Sequence, residues 1–353
     1  MPLAALLSRP GHRARRLTAA VAAAAACFGL LAGTAEASGT AERPTAPTPS
    51  TPTTTTPATT PAYTSRLDVP YASAPGQVLD LYVPEGARKK LPLVIYVHGG
   101  GWFAGDKTEL QRIPAWESLL GEGVAVASVN YTLAPGALFP QQIHEVKAAI
   151  RYLRANAAAY GLNGKVGLWG GSAGGQIAAL VGTSCRVPAL EGSIGTTGPS
   201  SCVDAVVDLS GPNDLASLTG HPGLDPAAST YLGCPAGLAS CSPEVLAQAN
   251  PITHLQASTR RPPAFLLGHG DADPLVPLGQ SRLLYSALKA SCGTAALYTL
   301  KGADHFFPFS GALSAPHPEQ TVETTRGCRP TRTATSPALS FPTVGAFFRA
   351  HLR

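Results

Sequence analysis

The chain has 353 residues, of which 44% are hydrophobic and 13% charged, and a formal net charge of +5. That charged fraction is about half the usual quarter, which argues against a nucleic-acid binder with its basic stripe. Arg9, Arg13, Arg15, Arg16 and Glu36 fall in a segment expected to be removed; without them the charge is +2, which points to no particular partner.

The four arginines precede an apolar run from Leu17 to Gly33, and Ala35-Glu36-Ala37 follows with small residues suited to a signal peptidase. Residues 1–37 therefore read as a signal peptide. As a retained membrane anchor the run would be short and composed mostly of alanine. Cys27 sits too early in it for a lipid attachment site, because Phe28 to Leu31 follow. Arg15-Arg16 is a faint sign of the twin-arginine route, and the export route stays open. From 38 to 62 the chain is mostly Thr, Pro, Ala and Ser, which have little to bury, so a disordered Pro/Thr-rich linker is expected. Linkers of this kind tether secreted enzymes to a wall or a second module and can carry O-linked sugars.

A single catalytic domain is expected over 63–353, with short apolar runs alternating with helical patterns. Leu79, Leu81 and Val83 alternate as in a half-buried strand, and Leu93 to Val97 and Val124 to Val129 read as buried strands. Ile143, Val146, Ile150 and Leu153 fall at helical spacing until Gly161. Val166 to Trp169, Ala205 to Leu209, Ala264 to Leu267 and Ala296 to Leu300 supply four more strands, and Val344 to Leu352 a last helix. This order implies an α/β fold with a mainly parallel sheet and helices on both faces. Without Cys27 six cysteines remain: Cys185, Cys202, Cys234, Cys241, Cys292 and Cys328. An even count in an exported chain implies three disulfides, sequential pairing being the simplest expectation; no paired C-x-x-C spacing supports zinc.

Gly170-Gly171-Ser172-Ala173-Gly174 is a G-x-S-x-G, a weak pattern alone but placed here between a strand and an apolar helix. Such a turn strains the serine backbone and presents its hydroxyl at a helix N-terminus. The plainer alternative is a tight turn whose serine only caps the helix. His98-Gly99-Gly100-Gly101-Trp102 follows a strand, and its glycines can turn N–H groups toward a carbonyl oxygen. Gly100 and Gly101, with Ala173, are assigned to an oxyanion hole, whereas His98 is expected to hold the loop. A serine needs a base, and His305 in Gly302-Ala303-Asp304-His305-Phe306 is best placed of the nine histidines. The acid should precede it at a strand end. Asp273 is chosen over Asp271, which is expected to bond the turn, and Asp304 is expected to point away. His269 reads as structural. Trp102, Phe103, Phe306, Phe307 and Phe309 read equally well as pocket lining or as packing.

These motifs, with Gly105-Asp106, Asn130 to Pro135, Phe139-Pro140 and Asp273 to Pro277, resemble the α/β-hydrolase esterases grouped as hormone-sensitive-lipase-like and bacterial feruloyl-esterase-like (BD-FAE) enzymes. The short span before His98 is similar to the capless, feruloyl-esterase-like type. The resemblance implies a secreted carboxylesterase using Ser172, Asp273 and His305 on short-chain, acetyl or feruloyl esters, free or on a polysaccharide. It implies no metal or cofactor, no nucleic-acid partner and no transmembrane segment in the mature chain; oligomeric state is left open. Two departures stand out: Glu145 occupies a place where the family has an aspartate nearby, and the segment from Cys185 to Ala249 is rich in Gly, Pro and Cys. The competing readings are a serine peptidase, lipase or arylformamidase on the same fold, or a catalytically inactive binding protein.

Overall fold

Alternation within single strands decides which face of the sheet each residue meets. The structure, a computed structural model, describes residues 61–353. The signal-peptide segment and nearly all of the linker lie outside the described residues. In strand β3 (Leu91–Val97), Leu93, Ile95 and Val97 enter one apolar cluster while Val94 and Tyr96 enter another on the opposite face. β4 (Ala125–Val129) divides in the same way, with Ala127 and Val129 on the first face and Val126 on the second. Strands buried on both faces need helices on both faces.

Those helices carry the expected stripes. In α1 (Gln141–Ala155), Ile143, Val146, Ile150 and Leu153 face the first cluster, as do Ile177 and Leu180 of α2 (Ala173–Thr183). Further along, α3 (Asp225–Leu232) belongs to the Cys-rich segment, and α4 (Gly279–Ala290) buries Leu284 and Leu288 on that same face. The last helix, α5 (Phe341–His351), covers the other face with Val344 and Phe348. Among the described residues no helix is long and apolar enough to cross a membrane.

Among the described residues the sheet has ten strands. The remaining ones are β1 (Tyr63–Pro70), β2 (Val78–Pro84), β5 (Leu162–Gly171), β6 (Ala205–Leu209), β7 (Ala264–Gly270), β8 (Thr294–Leu300), β9 (Gln320–Arg326) and β10 (Arg332–Ala334). Their spatial order is β1-β2-β4-β3-β5-β6-β7-β8-β9-β10. From β4 to β8 neighbouring strands are parallel, while β1, β2, β9 and β10 pair antiparallel at the two flanks. Disulfides join Cys185 to Cys202, Cys234 to Cys241 and Cys292 to Cys328, which is the sequential pairing.

Register brings the parallel strands to one finishing line. Val97 pairs with Gly170, Gly171 with Leu209, Leu209 with Gly268, and Gly270 with Leu300. The loops after β3, β5, β7 and β8 therefore emerge side by side at the carboxyl edge, where open parallel sheets place their ligands.

Candidate active site

Ser172 follows β5 directly and precedes α2, with φ 55° and ψ −127°. That conformation is rare for a residue with a side chain and costs energy, so the surroundings must enforce it. Its N–H donates to the Leu209 carbonyl of β6 at 2.8 Å, and its carbonyl accepts from Gln176 at 3.1 Å. Gly174 makes the turn possible. A Cβ there would lie 2.1 Å from the Val97 oxygen and 2.5 Å from the His98 oxygen, so α2 rests directly on the end of β3.

Three loops deliver the partners. His305, after β8, is 2% exposed, and its Nε2 lies 2.9 Å from Ser172 Oγ. Its Nδ1 lies 2.8 Å from Asp273 Oδ2. Asp273, after β7, has a fully buried side chain whose Oδ1 accepts the Leu275 and Val276 amides, each at 2.9 Å. Burial works to raise the Asp273 carboxyl, but hydrogen bonds from His269 and His305, the His305 charge and the Val276 amide outweigh it. The group is held well below the usual carboxylate range. Asp271 instead accepts the Gly302 amide at 2.6 Å, and Asp304 accepts the Phe306 amide at 2.9 Å. Ser172, His305 and Asp273 thus form one hydrogen-bonded line, and neither rival aspartate joins it.

The glycine loop after β3 turns through positive φ at Gly100 (98°) and Gly101 (60°). A side chain at Gly100 would strike the Ala104 carbonyl oxygen at 2.2 Å. Among the described residues the amides of Gly100, Gly101 and Ala173 donate to no protein acceptor. The Gly99 amide is occupied: it donates to Glu109 Oε1 at 3.0 Å, an oxygen that also accepts the Tyr96 hydroxyl at 2.5 Å. His98 bonds the Gly99 carbonyl through Nδ1 at 2.9 Å and stacks on Tyr131 with centroids 4.2 Å apart. Burial lowers its pKa, with the Gly99 carbonyl and Glu109 opposing. Its role is to hold the loop.

Residues with no motif around them complete the frame. Glu109 and His269 carry no local signal that reveals their partners, which lie in other elements. Glu145 is fully buried in α1 and accepts from the Thr132 amide (2.6 Å) and hydroxyl (2.8 Å), from Gln77 (3.0 Å) and from Gln141 (3.1 Å). It clamps the Asn130 to Pro135 loop, a structural task that a longer carboxylate performs here. The aromatics divide. Trp102 is fully buried, stacks on Tyr231 at 4.9 Å and donates to Gln176 Oε1, and Phe307 is buried too. Phe309 lies against Gly99 and Gly171, while Phe306, 38% exposed, sits edge-on to His305. Recesses of about 350 and 600 Å³ lie elsewhere, beside the β9–β10 hairpin and the Cys185–Cys202 loop. Among the described residues no three His, Cys, Asp or Glu side chains converge as metal ligands would.

Beneath the serine turn, Asp208 of β6 is wholly buried and accepts from Gly211 N and Asn213 Nδ2 at 2.9 and 2.8 Å. Burial pushes its pKa up to about 6, against the Asn213 amide, the His269 charge and the Gly211 amide. A carboxyl raised this far contributes stability that is complete below its unfolded value and is lost as pH rises through about 6. The shift corresponds to about 3 kcal/mol. Between pH 4 and 7, wild type should lose about that much stability relative to Asp208→Asn, measured by denaturant unfolding at each pH. A constant difference would mean that Asp208 does not titrate in the fold.

Comparison with known proteins gives a consistent result. The family model described as BD-FAE matches residues 79–288. Esterase LipC of Mycobacterium tuberculosis is 30% identical over 263 residues, 72% of this chain and 63% of its own length. A truncated carbohydrate esterase from gut microbiota superposes with a TM-score of 0.66 at 28% identity, over 84% of this chain and 98% of that one. A bifunctional GH43-CE protein of Bacteroides eggerthii gives 0.61 at 34% identity, over 68% of this chain and 35% of that one. The chain spans less than two thirds of the length of the first curated relatives, 63% of LipC and 58% of LipQ. The fold is that of the α/β-hydrolases.

Proposed function

The chain belongs to the BD-FAE family, and from that membership we propose that it is a serine carboxylic-ester hydrolase working through an acyl-enzyme. Ser172 attacks the ester carbonyl as His305 takes its proton. Asp273 keeps the proton-bearing nitrogen of His305 facing itself and stabilises the charged ring. The free amides of Gly100, Gly101 and Ala173 receive the oxyanion. His305 then protonates the departing alcohol, and water repeats the sequence to release the acid.

The observation that carries this reading is the unbroken line from Ser172 Oγ through His305 to Asp273, at 2.9 and 2.8 Å. Its substrate is an ester of a short acyl group, acetyl foremost, on a carbohydrate or small alcohol. Two similar solved structures are named as a carbohydrate esterase or as a protein with a CE part. Burial of Trp102 and Phe307 removes two of the five aromatics that could have lined a long acyl channel. Residues 63–353 form the catalytic domain, preceded by a signal peptide for export at 1–37 and by the linker at 38–62; three disulfides accord with an oxidising compartment.

A fluorophosphonate probe should label Ser172, located by peptide mass mapping. Across p-nitrophenyl esters from acetate to laurate plus methyl ferulate, kcat/KM should peak at acetate or butyrate and fall at least about tenfold by octanoate. Absence of labelling would favour an inactive binding protein. A maximum at laurate would favour a lipase.

A further inference from the structure

We infer that His269 is a positioning residue for Asp273: a second imidazole N–H set against the same carboxylate oxygen that orients His305. The inference rests on the roles just proposed for Ser172, His305 and Asp273.

His269 lies near the end of β7, four residues before Asp273, and its side chain is fully buried. Its Nε2 faces two acceptors, the Val276 carbonyl at 2.9 Å and Asp273 Oδ2 at 3.3 Å. An ionised carboxylate and a carbonyl only accept, so Nε2 must carry the proton. In the neutral ring Nδ1 is then bare, and the hydroxyl of Ser281, fully buried in the first turn of α4, lies 2.8 Å away to donate to it. Ser281 thereby fixes the tautomer that leaves the proton on Nε2, which donates to the Val276 carbonyl and stands 3.3 Å from Asp273 Oδ2. The line of contacts runs from Ser281 through His269, Asp273 and His305 to Ser172.

The count of donors gives this bond its effect. Asp273 Oδ1 accepts two amides, from Leu275 and Val276. Oδ2 accepts from His305 at 2.8 Å, and His269 Nε2 stands 3.3 Å from the same oxygen. Held by two amides on Oδ1 and by His305 on Oδ2 with His269 alongside, the carboxylate cannot turn without breaking bonds in a buried setting, where an unmet charge is costly. Without His269, Oδ2 keeps only the bond to His305. The other buried carboxyl that interacts electrostatically with His269, Asp208, is engaged by Gly211 and Asn213.

Because His269 also ties down the Val276 carbonyl, the test must separate orientation from simple support. The full disulfide-bonded protein is compared as wild type, His269→Leu, His269→Gln, Asp273→Asn and the double variant His269→Leu/Asp273→Asn. Rates on p-nitrophenyl acetate are expressed per serine titrated by a fluorophosphonate. By analogy with outer-shell partners of metal-bound histidines, His269→Leu should lower kcat about 10- to 100-fold with little change in KM. Glutamine, whose amide NH₂ reaches the place of Nε2, should restore most of it. In the Asp273→Asn background, itself reduced about 10⁴-fold, His269→Leu should cost little more, because its effect passes through Asp273. If the leucine variant does not fold, Ser281→Ala takes its place in the same cycle, with a smaller loss. Equal losses in both backgrounds, no recovery with glutamine, or unchanged kcat would overturn the inference alone. An active Asp273→Asn protein would overturn the role of Asp273, and this inference with it.

Discussion

Alanine at position 172 should reduce p-nitrophenyl acetate hydrolysis by about 10⁵-fold or more while leaving the fold unchanged. The hydroxyl is the only Ser172 atom bonded to His305, so its loss leaves the base without a proton to take. The amides of Gly100, Gly101 and Ala173 remain to bind the carbonyl oxygen, which limits the loss to a finite factor. Structure should survive because alanine adds no atoms and the turn is imposed by neighbours: the Leu209 carbonyl holds the residue's N–H, and glycines flank it. Far-UV circular dichroism and the thermal midpoint test the fold, and the residual rate tests the chemistry. A variant retaining more than about a hundredth of the wild-type rate would remove Ser172 from its role, since loss of one member of such a set costs far more.

Gly174→Ala should fail differently, losing stability and rate together. On helix propensity alone the change would help by about 1 kcal/mol. Packing opposes it: the new methyl would sit 2.1 and 2.5 Å from the carbonyl oxygens of Val97 and His98, both backbone atoms that cannot rotate away. Inserting a methyl into a well-packed site costs about 1–3 kcal/mol, more where nothing yields, so packing wins. Relief requires moving α2 away from the end of β3, and those two elements carry the Ala173 amide and the Gly100–Gly101 loop. Losing one well-aimed oxyanion donor costs about 10²–10³ in rate, and here the whole set shifts. The expected outcome is a lower thermal midpoint and a kcat/KM down by at least about 100-fold. A variant as stable and active as wild type would show that α2 does not bear on β3 as described.

Strands buried on both sides were the most legible part of this sequence. Leu93 to Val97 is a continuous apolar run and Ala205 to Leu209 is broken only by Asp208, and the fold uses both as central strands. Beyond β2, whose Leu79, Leu81 and Val83 alternate, the flanking strands β1 and β9 were illegible for a physical reason. β1 (YTSRLDVP) lies mostly exposed at one edge and carries an irregularity between Arg66 and Val69, so it has no apolar face to announce it. β9 (QTVETTR) buries only Gln320, Val322 and Thr325, too few to signal a strand. The site divides along similar lines. Ser172, His305 and the glycine loop sit at sharp turns whose chemistry is local, and local patterns reveal them. Glu109 and Glu145 hold partners 10 and 13 residues away in other elements (Gly99 and Thr132), and only tertiary packing brings those pairs together. Trp102 shows the limit most clearly: beside an oxyanion loop it looks available to a ligand, yet Tyr231 of the Cys-rich segment covers it.

The 133 residues that separate Ser172 from His305 also govern when the protein can first act. The serine turn needs β3, β5 and β6 in register, but the base arrives only after β8 has joined β7. A chain still emerging from the ribosome therefore carries Ser172 with no histidine beside it, until β8 and His305 have been delivered.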